Sequence, residues 1–86
     1  MDTKIDSLIF TAVDAVGGYS AAARLLGVHY TAPRRWVQMG RLPKTELTGE
    51  TGYAGPLARV AAEYGAPIEE KDLLEEIRDV IGRQDD

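Results

Sequence analysis

The side chains best fitted for chemistry in this 86-residue chain stand between Tyr19 and Lys44. That stretch holds Arg24, Arg34, Arg35, Arg41 and Lys44 and no acid, a net charge of +5. An arginine fork can bridge O6 and N7 of guanine, and a glutamine amide can do the same for N6 and N7 of adenine. Arg34 and Gln38 are four residues apart, so on a helix they are neighbours on one face. Arg35 either joins them or bonds across to an acid of another helix. Arg24, Arg41 and Lys44 suit contact with phosphates, which positions a protein on nucleic acid without reading sequence. The alternative for all five cations is a solvated basic face.

The overall charge of −4 conceals this island. Residues 1–18 set Lys4 against Asp2, Asp6 and Asp14, and residues 45–86 set Arg59, Lys71, Arg78 and Arg83 against eleven acids. A phosphate backbone responds to the face presented to it, not to the total. Other chemistries find no footing. The chain has no cysteine, so neither disulfides nor thiolate metal sites are expected, and His29 alone cannot build a zinc site. No glycine-rich loop follows a strand to cradle a phosphate, and no Ser/His/Asp set stands out. The expectation is a protein that is not an enzyme, with no cofactor, metal or small-molecule substrate. Glu69-Glu70 and Glu75-Glu76 read as the solvated face of a helix. No apolar run approaches the ~18–20 residues of a membrane span, and the N-terminus lacks a signal-peptide pattern. A soluble, cytoplasmic protein without a membrane partner follows.

The elements that must position the basic residues are helical. Ile5, Leu8, Ile9, Ala12, Val13 and Val16 recur at spacings of three and four, predicting a first helix over 4–16. Thr3 with Asp6 would cap it, and Gly17-Gly18 would end it. Ser20 is placed to cap a second helix over 21–26, closed by Gly27. A third runs from Thr31 to Met39 and stops at Gly40. The segment 44–52 reads as a loop with at most one helical turn at 44–47. Pro56 opens a fourth helix, from Gly55 or Pro56 to Tyr64, with Leu57, Val60, Ala61 and Tyr64 as its apolar stripe. A fifth covers 69–81, with Leu73, Leu74, Ile77, Val80 and Ile81 on one face.

Two short helices joined by a tight turn make three demands. Ala23 supplies the small residue where the helices touch, four positions before Gly27. Gly27 supplies the positive φ of the turn. Leu26, Val28 and Trp36 bracket the crossing with apolar bulk. This is the sequence form of a helix-turn-helix, whose second helix is offered to the major groove.

The run from Ser20 to Val28, then Arg35-Trp36, then Gly40-Arg41-Leu42-Pro43, resembles the phage Cro-like and YdaS-type helix-turn-helix regulators. A looser likeness continues through Glu46-Leu47-Thr48-Gly49 to Tyr53. The resemblance implies a lambda-repressor-like fold, double-stranded DNA as partner, and a groove edge reached from the places of His29, Tyr30 and Thr31. Tyr30 then either meets a thymine methyl or a phosphate, or lies flat on Pro33 or Trp36. Tyr19 and Ser20, opening the first helix of the motif, would hold a phosphate on free N–H groups and a hydroxyl. One position departs from the pattern: Pro33 stands where the family places an apolar β-branched residue. Proline is tolerated in a first helical turn but not in a helix interior, so Thr31 is expected as the N-cap, with His29 and Tyr30 in a longer turn.

The expected molecule is all-α, a single compact five-helix domain over residues 1–86. Residues 66–86 would form a helix and acidic tail, the helix either joining two copies or folding back on its own core. The expected activity is sequence-specific repression by a homodimer on a palindromic operator. The alternative is an antitoxin-like or adaptor module whose acidic C-terminal half grips a protein partner.

Overall fold

The computed structural model describes residues 7–84, which form six α-helices and no strand among the described residues. They are α1 (Leu8–Ala15), α2 (Tyr19–Leu26), α3 (Thr31–Met39), α4 (Thr45–Thr48), α5 (Ala54–Glu63) and α6 (Glu70–Gln84). All five expected helices are present. The helical turn allowed after Pro43 makes the sixth, α4.

α1 starts at Leu8, after an extended Ser7 whose hydroxyl oxygen accepts the Phe10 N–H at 3.2 Å. The expected start at Lys4 and the expected Thr3–Asp6 cap lie outside the described residues. Ile9, Ala12 and Val13 turn into the core. They meet Ala22 of α2, Trp36 and Val37 of α3, Leu42, Leu57 and Ala61 of α5, and Leu73 and Ile77 of α6. α5 begins at Ala54, one residue before the expected start, and buries Ala54, Leu57, Ala58 and Ala61. Tyr64 was expected on that apolar stripe, but it follows the last turn of α5 and is 68% exposed.

The apolar face of α6 is used inside the molecule. Leu73 and Ile77 are buried, and Leu74 and Ile81 pack half-buried against the same core. The helix also carries a polar tie across the fold. Glu76 accepts the Leu8 N–H on Oε2 at 2.7 Å and the Ile9 N–H on Oε1 at 2.9 Å. An α-helix leaves its first N–H groups without intrahelical partners, and here a carboxylate 67–68 residues away satisfies two of them. Glu76 is therefore not part of a solvated face, as its pairing with Glu75 in the sequence implied.

Burial pushes the Glu76 carboxyl above its ordinary value of 4.5, outweighing the two N–H groups that favour its charge. A folded-state value raised above the unfolded one makes a contribution that is full below about pH 4.5 and is lost as pH rises through the raised value. The unfolding free energy of the wild type minus that of Glu76→Gln should accordingly fall as pH rises from 4 and level off above the raised value. Urea titrations of both proteins across that range measure it, and a difference that grows with pH contradicts the assignment.

Candidate nucleic-acid interface

α2 and α3 meet at a turn that the sequence forces. Gly27 adopts the left-handed conformation (φ 72°, ψ 32°), and both its N–H and that of Val28 return to the Ala23 carbonyl. A side chain here would meet no neighbour, so the demand for glycine comes from φ alone. Ala23 and Trp36 are both buried, and the Trp36 ring lies 5.1 Å from that of Tyr53.

The entry into α3 differs from expectation by one residue. Thr31 is the first helical residue, not the cap, and the N-cap position falls on Tyr30, which offers no side-chain bond. His29 does the capping instead: its Nδ1 accepts the Thr31 N–H at 3.3 Å and lies 3.0 Å from the Thr31 hydroxyl. Pro33 is third in the helix, in the first turn, where its missing N–H leaves no broken bond. It is fully buried, so it supplies the apolar anchor that a β-branched residue would have given.

With Ala32 half-buried and Pro33, Trp36 and Val37 buried, α3 presents Thr31, Arg34, Arg35 and Gln38 to solvent. Offsets of zero, three, four and seven form one stripe along a helix. His29 and Tyr30 flank its N-terminal end, both exposed, with their rings 4.7 Å apart. Tyr30 leans on His29, rather than on Pro33 or Trp36. No carboxylate neutralises the stripe, since Lys71–Glu69 is the one ion pair among the described residues. Arg35 therefore makes no bond to an acid of α1 or α6.

The flanking cations divide. Arg24 and Lys44 are exposed. Arg24 shares the face of α2 that carries Ser20, one turn apart, and also borders a shallow apolar groove with Leu25, Val60 and Tyr64. Ser20 is not the cap of α2, because the helix starts earlier, at Tyr19, with Gly18 in the cap position and no side-chain bond to its end. Gly17 and Gly18, at φ 115° and 103°, bend the chain sharply enough for that early restart. Tyr19 and Ser20 thus lie exposed in the uncapped first turn of α2. Arg41 departs most from expectation: it is 9% exposed, folded in with its Nη1 donating to the Leu42 carbonyl at 3.0 Å.

Sequence reasoning missed Glu46. It is 8% exposed and collects the N–H groups of Tyr53 (2.9 Å to Oε2) and Ala54 (2.9 Å to Oε1), together with the Thr51 hydroxyl. This carboxylate takes the place of a side-chain cap for α5 and holds the loop between α4 and α5. An acid eight residues before the helix it caps gives no local signal. Among the described residues no group of His, Cys, Asp and Glu is arranged to hold a metal, and no helix is long and apolar enough to cross a membrane.

No family model matches the chain, and no solved structure matches it. A curated relative does: the 8.4 kDa cro protein of Escherichia phage HK022 is 40% identical over 48 residues. The aligned stretch is 55% of this chain and spans 63% of the relative's length. A chain that is helical throughout its described elements, with a glycine turn between α2 and α3, is thus similar in sequence to a phage Cro protein, and the phage Cro-like resemblance read from the sequence is borne out.

Proposed function

We propose that this protein is a sequence-specific double-stranded DNA-binding transcriptional regulator, with α3 as the recognition helix in the major groove. The observation that carries the reading is the exposed stripe of Thr31, Arg34, Arg35 and Gln38, free of any acidic partner and backed by a buried anchoring face. Arg34 and Gln38 read base edges, Arg35 and the His29–Tyr30 pair contact the rim of the groove, and Tyr19, Ser20, Arg24 and Lys44 hold phosphates. One motif makes few contacts, so a homodimer on a palindromic operator gives useful affinity, its recognition helices about 34–36 Å apart. Repression follows from occupying the operator. The apolar face of α6 is engaged within the monomer, so contact between copies falls to other surfaces, and the acidic C-terminal half turns away from DNA.

A gel shift with the DNA upstream of the protein's own gene, against a scrambled duplex, tests the reading at two salt concentrations. The expected result is preference for the upstream DNA and an affinity that falls with a log–log salt slope of about −0.9 per phosphate held. Equal affinity for both duplexes defeats sequence-specific regulation. Absence of any salt-dependent binding favours the protein-partner alternative.

A further inference from the structure

Beside α3 runs an open groove lined by Thr31, Arg35 and Trp36 on one side and by Arg41, Pro43 and Lys44 on the other. Three of its lining residues are cationic and none is acidic. Arg41 makes one hydrogen bond, to Leu42, while its Nε is enclosed and donates to no acceptor. A buried guanidinium ordinarily sits against a carboxylate, because a buried charge left uncompensated is costly. No such carboxylate is bonded to it here. If Arg41 only packed its stem, its head would reach water, as long cationic side chains usually do. At 9% exposure it keeps little of that access, and its Nε has none.

We propose that this groove is an oxyanion seat, and that Arg41 closes on a phosphate group entering between Arg35 and Lys44. To engage, Arg41 turns the edge of its guanidinium into the groove. It gives up the single bond to Leu42 and gains a two-pronged contact in which Nε at last has an acceptor. Resting on the DNA-binding reading, the natural occupant is a phosphodiester of the duplex beside the recognition helix. Arg41 is then a positioning residue, fixing the register of α3 without reading a base. A lysine cannot replace it, because an ammonium group lacks the planar fork that fits two phosphate oxygens.

The test follows the arginine Nε–Hε resonances of the 15N-labelled protein during titration with inorganic phosphate, then with chloride at matched ionic strength, then with duplex DNA. The Arg41 signal is assigned by its loss in Arg41→Lys. It is expected to shift saturably with phosphate and with duplex, and not with chloride. Arg41→Lys, shown to be folded by its melting curve, should weaken upstream and scrambled duplexes by the same factor, about tenfold for one charge-assisted contact. Should that variant not fold, through-bond assignment of the Arg41 Nε–Hε resonance in doubly labelled wild-type protein keeps the titration decisive. An Arg41 signal unmoved by phosphate and by duplex overturns the seat, even if the duplex binds and the DNA-binding reading stands. A response to phosphate without any duplex binding keeps the seat, with free phosphate as its occupant, and defeats the DNA-binding reading. Wild-type affinity in Arg41→Lys overturns the clamp.

Discussion

Replacing Arg34 and Gln38 together by alanine is expected to lower affinity for the operator by about 2–6 kcal/mol, taking roughly 1–3 kcal/mol for each bidentate base contact. That is a loss of roughly 30-fold to over 10⁴-fold. Both side chains are exposed on α3 and neither anchors the helix, so the melting temperature should hardly move. Affinity for a scrambled duplex should fall much less, because the phosphate contacts proposed for Tyr19, Ser20, Arg24 and Lys44 are untouched. Fluorescence anisotropy with both duplexes, alongside a thermal melt, separates lost recognition from lost fold. An equal drop on both duplexes would reassign the two residues to phosphate contact. No drop at all would remove α3 from the interface.

The second large effect concerns stability. Glu46→Ala should destabilise the protein by about 3 kcal/mol or more, since it orphans two N–H groups and a hydroxyl that met a buried carboxylate. Domains are stable by only about 5–15 kcal/mol, and one this small sits near the lower end. The variant should therefore lose a large share of its stability. Glu46→Gln keeps one acceptor but turns an NH₂ group toward an N–H, so an intermediate loss is expected. Urea unfolding of the three proteins measures the series. A loss below about 1 kcal/mol for the alanine variant would mean that water replaces the carboxylate readily.

The contrast between these two sites explains what was legible in the sequence. The helix-turn-helix is written locally: Ala23, Gly27 and Val28 act on neighbours a turn or two away, so their spacing carries their roles. Pro33 was readable for the same reason, because proline constrains the helix it stands in. Caps were read less well, since Ser7, Ser20 and Thr31 all look alike in sequence. The double glycine before Tyr19 and the ring of His29 decided which residue opened α2 and α3. Glu46 and Glu76 were illegible because their partners are chosen by the crossing of helices, and a carboxylate beside a distant N–H leaves no periodic trace. Arg41 misled in the opposite sense: its type and its place in a basic run promise exposure, and packing against Leu42 and α3 withdraws it.

The tie between Glu76 and α1 bears on the order in which the protein can be made. Helices α2 and α3, with the turn at Gly27, pair with each other through contacts close in sequence, and such contacts form early. The first turn of α1 does not, because its two N–H groups wait for a carboxylate 67–68 residues downstream. A ribosome-bound chain that has not yet reached Glu76 also lacks Ile77, and so leaves part of the core cluster around Ile9 open to water. The α2–α3 pair thus precedes the frame that steadies it, and emergence of α6, rather than of that pair, completes the packing around α1.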